Sequence, residues 1–399
     1  MLANPPFRGA NWLCGQEAAL RILHLALKLP RPLPDWARPV IAAHARRIAA
    51  NPAYALAQDN NHPISEAAGL LSCGLLLGSP GLTARGYRRL DRTIRRLVSV
   101  DGGFAQPSPT YHRLMLDVLA SVEWLRRKWG GPSLPEATLE RAAAATALQR
   151  QWVCPDSGAL PRIGHQDDSA FDGSPDARGS LARAEAMFGG TAARPRWVAQ
   201  GFQGWAAAGA RGILRTGQHG FRPAQADLLH FDLWDGPLNL LRDAGTGAYN
   251  PAPENAWWLD YFWSVAAHNT VQFDQDEPMP RVSRFLYACW PQAGAGWVRD
   301  WRGRFHARQV EVRGREWRVT DRLDGPFHRA TLRWRLVPGS WRLTPHGVEG
   351  PLAFIHVTGA ARLEWGWESL TYGEVSRCPV LVVELGQATT AETHIRLRS

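Results

Sequence analysis

The stretch from Gln58 to Leu70 combines amides, an imidazole and a carboxylate with the start of an apolar helix. Asn60, Asn61 and His62 precede small and apolar residues that recur at helical spacing. Pro63 suits a first helical turn. Because free N–H groups and the helix dipole favour negative charge at such an end, we predict an anion site here. An N-cap Asn beside a solvated His is the simpler alternative.

A second polar island opens another predicted helix. Tyr111, His112 and Arg113 fall in its first turn and follow the glycine-rich turn at Asp101. Tyr111 lies three residues before Leu114, so it points along the apolar stripe of that helix, at its open end. The phenol could therefore face a cleft, or it could be hydrogen-bonded at a helix end.

These islands contain the residue types needed to remove a proton next to a carboxylate. The residues concerned are Asn61, His62, Tyr111 and His268. Elimination from a uronic acid requires an acidic C5 proton, and amide or imidazole donors stabilise the charge that develops on the carboxylate. Tyr111 could take that proton or protonate the leaving oxygen. Since an ordinary Tyr has a pKa of about 10, it would act as a base only beside a positive charge such as Arg113 or His112.

Other polar residues near the islands are candidates for binding substrate. They are Asn60, Glu66, His112, Arg113, Gln225, Tyr249, Tyr261 and Trp263. A third island, the loop from Leu160 to Ser169, offers a His and two carboxylates, although most loops of this kind are solvated turns. A glycoside hydrolase is an alternative, with paired carboxylates drawn from Glu66, Asp101, Asp167 and Asp168.

Asp243 and His268 lie at the ends of apolar runs in the second half of the chain. Their side chains are metal-ligand types, but two ligands are too few for a closed zinc site. The spacing is therefore weak support for zinc. Arg281, Arg284 and Trp263 could line the same surface, as cation and indole pairs often do.

The composition favours an acidic partner. The 399 residues carry a formal net charge of +10, mostly through Arg residues that are scattered rather than gathered in a basic helix. An acidic polysaccharide therefore fits better than nucleic acid. The 19 Trp residues include candidate platforms for sugar rings, although core is the safer assignment for any one of them. The five Cys residues have no C-x-x-C pair, so we expect buried thiols.

Two domains are predicted from the change of periodicity along the chain. Helical spacing predicts helices over residues 16–29, 35–50, 65–78, 83–100, 108–129, 135–153 and 181–188, with another near Trp197. A long polar loop is predicted over 156–179. After about residue 212 the period becomes two, as in 227–234, 331–336 and 380–385. We therefore predict an α+β multidomain fold, with a helical domain at 1–208 and an antiparallel β-sandwich at 209–399.

The islands, in this order, resemble those of the heparinase II/III-type polysaccharide lyases. The matching motifs run from Asn4 to Glu17, Asn60 to Glu66, Asp101 to Arg113, Ala226 to Phe231, Asp243 to Tyr249, Ala267 to Val271 and Trp317 to Asp321. The resemblance implies an (α/α) toroid followed by a β-sandwich. The toroid is expected to be incomplete, because Met1 falls just before a motif that lies well inside it in relatives.

The resemblance also implies roles for individual residues. Asn61 and His62 would neutralise the substrate carboxylate, Tyr111 would be the acid or base, and Asp243 with His268 would belong to the zinc position. Many members carry His-x-His where this chain has Pro223-Ala224-Gln225, so a catalytic imidazole and a zinc ligand are missing. No cofactor is therefore expected to be required, and Zn²⁺ is doubtful.

A second departure from the family pattern concerns a tyrosine. A Tyr that relatives carry shortly after the Asp-x-Gly-Thr turn is replaced by Gly247, leaving Tyr249 two positions on. Because the catalytic imidazole of relatives is also missing, a partner for Tyr111 must come from elsewhere. The candidates are His230, Tyr249 and Tyr261.

The leading hypothesis is a lyase that cleaves a uronate-containing glycosaminoglycan or exopolysaccharide by β-elimination. The alternatives are a glycoside hydrolase and a non-catalytic protein for glycan binding or exopolysaccharide assembly. Relatives imply the periplasm or cell envelope, whereas this sequence shows no signal-peptide pattern, which leaves the cytoplasm open. It also has no uncharged apolar stretch long enough to span a membrane. The oligomeric state is not predicted.

Overall fold

The computed structural model describes residues 5–217, 220 and 222–398. Asn4, the first residue of the first family-like motif, lies outside these residues. The chain divides into two compact units. The helical unit comprises the described residues of Met1–Gln106, Tyr111–Arg150 and Ala170–Ala192, and the β unit comprises those of Pro107–Thr110, Gln151–Ser169 and Ala193–Ser399.

Helices occupy the N-terminal part, as predicted. They are α1 (Gly15–Lys28), α2 (Ala37–Ala50), α3 (Pro52–Gln58), α4 (Asn61–Leu77), α5 (Pro80–Leu97), α6 (Pro109–Trp129), α7 (Glu136–Trp152) and α8 (Arg178–Phe188). The short α3 was not predicted, and it begins with the N-cap Asn51 and Pro52 in its first turn. None of the described helices is long and apolar enough to cross a membrane.

The helix α4 is the buried centre of the helical unit. Its small and apolar residues, among them Ile64, Ala67 and Leu71, are almost fully enclosed. The neighbouring α5 instead has one apolar face and a face rich in arginine, as expected of a helix with one side in solvent. The burial of α4 fixes its N-terminus, where the first polar island lies.

In its described residues, the second part of the chain contains antiparallel strands and a further short α-helix. The strands are β1 (Arg196–Ala199), β2 (Phe202–Ala207), β3 (Ala210–Arg215), β4 (Phe231–Asp235), β5 (Leu238–Leu241), β6 (Val271–Phe273), β7 (Arg281–Ser283), β8 (Leu286–Tyr287), β9 (Gln292–Gly294), β10 (Trp297–Arg299), β11 (Phe305–Arg313), β12 (Glu316–Asp324), β13 (Ala330–Arg335), β14 (Arg342–Thr344), β15 (Gly347–Glu349), β16 (Ala353–Val357), β17 (Ala360–Glu368), β18 (Ser376–Gly386) and β19 (Thr390–Leu397). The helix α9 is Trp258–Tyr261.

The strands form three larger sheets and a ribbon. One sheet has the order β1-β2-β3-β4-β5, a second has β14-β15-β16-β19-β12-β11-β10-β9, a third has β17-β18-β13-β6, and β7 pairs with β8. Inward-facing residues of all three sheets, such as Phe231, Trp317 and Trp334, share one apolar core. This layered packing agrees with the predicted antiparallel β architecture.

The structure corrects three details of the sequence analysis. The segment near Trp197 is strand β1, not a helix, and it pairs with β2. Four residues are too few for periodicity to separate the two states. Residue 208 falls in the turn between β2 and β3, so the first sheet begins before the predicted boundary. The expected buried thiols are found at Cys73, Cys154 and Cys378, whereas Cys14 is partly exposed and Cys289 is exposed.

Candidate functional site

The first polar island lies at the N-terminus of α4, as the sequence indicated. Asn60 is the N-cap, and its Oδ1 accepts the His62 N–H at 2.9 Å. The Asn61 N–H donates to Gln106 Oε1 at 3.3 Å. These two N–H groups are therefore used by side-chain oxygens. An anion would be held by the side chains of Asn61 and His62, and that role stays a prediction.

Tyr111 lies in the first turn of α6, within the helical unit. Its side chain is 7% exposed and belongs to the apolar cluster that includes Leu114 and Val118. The predicted direction along the apolar stripe is therefore correct. Most of the ring is held by packing, which fixes the direction in which the phenol oxygen points.

His112 is fully enclosed beside Tyr111. Its Nε2 donates to the Gly102 carbonyl at 3.1 Å, and its Nδ1 pairs with the Gln149 side-chain amide at 2.8 Å. Burial lowers the pKa of His112 to about 4 despite these hydrogen bonds. The imidazole is therefore neutral near pH 7 and does not supply a positive charge to Tyr111. Its contacts suit a role in positioning the turn and the helix.

Arg113 is buried and bonded within the helical unit. Its guanidinium donates to Ser180 Oγ at 2.7 Å, to the Ser174 carbonyl at 2.8 Å and to Asp172 Oδ1 at 3.0 Å. The positive charge is therefore balanced by a carboxylate. As with His112, these contacts favour a positioning role over contact with a substrate.

Glu66 is enclosed on α4 with a side chain that is 1% exposed. Arg89 lies 3.5 Å from its Oε2, and an added Cβ at Gly15 would lie 2.3 Å from its Oε1. Burial raises the pKa of Glu66 to about 7, although Arg89 and Arg47 oppose the rise. The carboxyl group is thus packed against α1, and its predicted role in substrate binding stays untested.

Three buried residues of the β unit form a polar cluster. Among the described residues, His230, Asp243 and His268 have potential ligand atoms that all lie within 4.8 Å of one another. Asp243 Oδ2 accepts from His268 Nδ1 at 2.7 Å and lies 3.4 Å from His230 Nδ1. Burial alone would raise the pKa of Asp243, but the imidazoles and the Gly245 N–H hold it below its usual range.

The same cluster sets the charges of its two histidines differently. Burial opposes protonation of His268, yet the Asp243 carboxylate raises the pKa of His268 above its ordinary value. Burial lowers the pKa of His230 to about 3, and its Nδ1 accepts the Asn269 N–H at 2.9 Å. The cluster is therefore a buried, hydrogen-bonded pair of Asp243 and His268 beside a neutral imidazole.

Gln225 stands at a family ligand position, and whether zinc binds at the cluster stays a prediction. Gln225 is fully buried, and its Nε2 donates to the Gly245 carbonyl at 2.8 Å and the Phe262 carbonyl at 2.9 Å. Asp243 Oδ2 and His268 Nδ1 are hydrogen-bonded to each other at 2.7 Å. The Gln225 amide therefore links the turn at Gly245 to the segment at Phe262 by hydrogen bonds.

The three aromatic candidates have different surroundings. Tyr261 Oη accepts from Arg335 Nη1 at 3.1 Å and from the Trp367 N–H at 2.9 Å. Trp263 is buried. Tyr249 is partly exposed and packs its ring against Tyr372, with 5.4 Å between ring centroids. Tyr249 is therefore the best placed of the three to contact a ligand, a role that no observation tests.

The substitution of Gly247 for a family Tyr has a steric reason. Gly247 has a positive φ of 69°, and an added Cβ would lie 2.7 Å from Phe262 Cδ2. A side chain at this position would be strained and would collide with the ring. The turn after Asp243 therefore has no room for a Tyr at 247.

The loop from Leu160 to Ser169 packs inside the β unit. It is not a solvated turn, because Leu160, Ile163 and His165 are buried in the β unit. The Gln166 N–H donates to Thr246 Oγ1 at 3.0 Å, so the loop is tied to the turn that follows Asp243. The apolar residues inside the loop were the signal that it packs against a core.

The carboxylates proposed for a hydrolase are used in local structure. Asp168 Oδ1 accepts from Arg162 Nη1 at 2.6 Å, and its Oδ2 accepts the Tyr372 N–H at 2.6 Å. Asp167 Oδ1 accepts the Ser169 N–H at 3.1 Å. Asp101 Oδ1 accepts the Gly103 N–H at 3.1 Å in the turn before α6. These contacts do not favour the hydrolase alternative.

Comparisons with known proteins agree on the fold. Residues 190–370 match the family model described as Heparinase II/III-like, C-terminal. A heparinase III gene product is similar with a TM-score of 0.74 and 16% identity, covering 96% of this chain and 68% of that chain. Another heparinase III structure is similar with a TM-score of 0.72 and 15% identity, covering 96% of this chain and 69% of that chain. The structure of heparan sulfate lyase HepC from Pedobacter heparinus is similar with a TM-score of 0.67 and 16% identity, covering 96% of this chain and 68% of that chain. No curated protein matches the chain.

Proposed function

Since residues 190–370 match the Heparinase II/III-like, C-terminal family model, we propose that the chain is a lyase of acidic polysaccharides. The proposed reaction is β-elimination at a uronic acid. The C5–H bond and the C4–O bond break, a C4–C5 double bond forms, and the leaving oxygen takes a proton. The observation that carries the proposal is the grouping of Asn60, Asn61 and His62 at the N-terminus of α4.

The proposed first step is recognition of the substrate carboxylate. Asn61 and His62 stand at the positive end of a buried helix, where negative charge is stabilised. Donors on the carboxylate stabilise the enolate-like charge that develops when the C5 proton leaves. The amide and imidazole side chains are therefore assigned to carboxylate neutralisation.

Tyr111 is the proposed acid and base. His112 is neutral near pH 7, and the Arg113 charge is balanced by Asp172, so neither residue favours a phenolate. A phenol that keeps its proton is suited to protonating the leaving oxygen. For the turnover to balance, Tyr111 enters as the phenolate and takes the C5 proton first, and the phenol that results then donates this proton to the leaving oxygen as the C4–O bond breaks.

We further propose that the reaction needs no zinc. This rests on Gln225, which uses its amide group to join the Gly245 and Phe262 carbonyls where relatives carry a ligand. The hydrogen-bonded Asp243 and His268 are then a structural pair that holds the segment around His268. The substrate class, a heparan-type glycosaminoglycan or a bacterial exopolysaccharide, is proposed on the similarity of fold alone.

The function is tested on a panel of heparan sulfate, hyaluronan and alginate, using ultraviolet absorbance of the unsaturated ends and mass spectrometry. A lyase product is lighter by one water than a hydrolysis product. Tyr111→Phe should reduce kcat by about two to four powers of ten. Tyr87→Phe removes a phenol from the same helical unit and should leave kcat unchanged. Saturated products would establish a hydrolase instead.

A non-catalytic glycan-binding protein is the second candidate. It is favoured by Pro223 and Gln225, which stand where relatives carry imidazoles. Such a protein would bind the acidic glycans without cleaving them, and Tyr111→Phe would leave its affinity unchanged. Binding without any unsaturated product across the panel would therefore decide for this candidate.

A further inference from the structure

The loop from Leu160 to Ser169 carries a buried imidazole that the proposed roles do not use. His165 is 6% exposed, and its Nε2 has no hydrogen-bond partner among residues 5–217, 220 and 222–398. Leaving a buried polar atom without a hydrogen bond destabilises the folded protein. A group outside the chain, a water or a ligand oxygen, can satisfy such an atom.

The loop is held rigidly enough to aim this imidazole. The Gln166 N–H donates to Thr246 Oγ1 at 3.0 Å, and Asp168 Oδ2 accepts the Tyr372 N–H at 2.6 Å. Gly164 has a positive φ of 75°, and an added Cβ there would lie 2.2 Å from the Pro107 carbonyl oxygen. Contacts on both sides of His165 therefore fix its backbone within the β unit.

Three aromatic rings surround the His165 ring. Its ring lies 4.6 Å from the Trp263 ring, 5.4 Å from the Tyr249 ring and 6.0 Å from the Phe285 ring, measured between centroids. Tyr249 is partly exposed and Phe285 is 37% exposed, so part of this aromatic group reaches solvent. Aromatic faces of this kind pack against sugar rings, while polar groups between them fix the orientation.

Positive charge accompanies the aromatic group. The guanidinium of Arg222 lies 6.0 Å from the Phe285 ring centroid, and that of Arg281 lies 5.2 Å from the Trp263 ring centroid. Burial, with the positive charges of Arg222 and His268, lowers the pKa of His165 to about 3. The imidazole is neutral at working pH, so it offers a hydrogen bond rather than a charge. Arg281 is ion-paired with Asp260, so the preference for an acidic ligand rests on the charge of Arg222 and on the proposed function.

We infer that His165 contacts the glycan and uses its free ring nitrogen to hydrogen-bond an oxygen of an acidic sugar. This inference rests on the proposed function for the identity of the ligand. It adds a residue that neither the sequence motifs nor the family resemblance assigned. It also gives the β unit an imidazole that contacts substrate, whereas Pro223 stands where many relatives carry a His.

The test replaces the imidazole in two ways. His165→Phe keeps an aromatic ring and removes the nitrogen, whereas His165→Gln keeps a polar group near the position of Nε2. His165→Phe should lower kcat/KM, or raise the Kd of the best-bound panel oligosaccharide, by about 10- to 100-fold, and His165→Gln should recover most of that loss. His394→Phe, on the exposed side of β19, is the control and should change neither quantity.

The outcomes separate the inference from the proposed function. If wild type cleaves the glycan and His165→Phe does so within about twofold of the wild-type rate, the inference is wrong and the lyase stands. If wild type binds without cleaving and only His165→Phe loses affinity, the lyase is wrong and the contact stands. If wild type binds no oligosaccharide of the panel, both are wrong. A Tm of His165→Phe at or above wild type would show that lost binding is not lost folding.

Discussion

The N-terminus of α4 and the interior of the β unit hold their polar groups in different ways. At α4, the Asn60 side chain bonds to the N–H of His62, two residues along the chain. In the β unit, Asp321 on β12 bonds to Arg308 and His306 on the neighbouring strand β11. The first contact requires only that a helix begins there, whereas the second requires the whole sheet. Single substitutions should therefore have unequal effects in the two regions.

The largest effect is expected at Asp321. Asp321→Ala leaves the fully buried guanidinium of Arg308 without its counter-charge, which should cost about 3–5 kcal/mol of the free energy of unfolding. Asn60→Ala, which removes only a helix cap, should cost about 1 kcal/mol. Chemical denaturation measures both values. Equal losses for the two variants would contradict the comparison.

The same network predicts an acid limit for the β unit. Burial opposes ionisation of Asp321, yet Arg308 and His306 lower its pKa from 3.8 to about 2. The folded state therefore keeps its carboxylate ionised where the unfolded state takes up a proton. This stability is present above pH 4 and is lost as the pH falls toward 2. Asp321→Ala should lack this part of the pH dependence in denaturation curves.

An intermediate effect with the opposite sign is expected at Glu66 in the helical unit. Burial raises its pKa from 4.5 to about 7, so the folded state keeps a proton that the unfolded state releases. The free energy of unfolding should therefore fall as the pH rises from 4.5 to 7. Glu66→Gln should remove this loss and gain roughly 3 kcal/mol at pH 8, with no gain at pH 4. An equal change at both pH values would show that packing, not ionisation, is responsible.

The smallest effect is expected from metal removal. Because the Gln225 amide joins the Gly245 and Phe262 carbonyls, a chelator should leave Tm within about 1 °C of its starting value. Metal analysis of the purified chain should find less than about 0.1 zinc per chain. Gln225→His adds an imidazole to the potential ligands His230, Asp243 and His268 and should take up zinc. Stoichiometric zinc in the wild-type chain would overturn the proposal that none is needed.

The helical unit was the more predictable part of the molecule. Periodicity over long segments identified most of its helices, and Asn60 and Pro63 marked the start of α4 because capping and first-turn preferences are local. The roles of His112 and Arg113 were not predictable in the same way. Both were expected at a substrate, but both have buried partners distant in sequence, Gln149 and Ser180.

The β unit was predictable in class and much less so in detail. The period of two identified strands such as β13 and β18, yet β1 was too short to be recognised. The loop that carries His165 was read as a solvated turn, since nothing in its polar residues shows that Thr246 and Tyr372 anchor it. Its position depends on segments far away along the chain.

The sequence alone determined that helices precede antiparallel strands, that α4 begins with Asn60, Asn61 and His62, and that Tyr111 lies in the first turn of α6. These features follow from periodicity and capping, which act over a few residues. The tertiary structure alone decided that Gln225 bridges two carbonyls and that the His165 ring packs beside Tyr249. The reason is physical: hydrogen bonds and packing between distant segments exist only after the chain has brought them together.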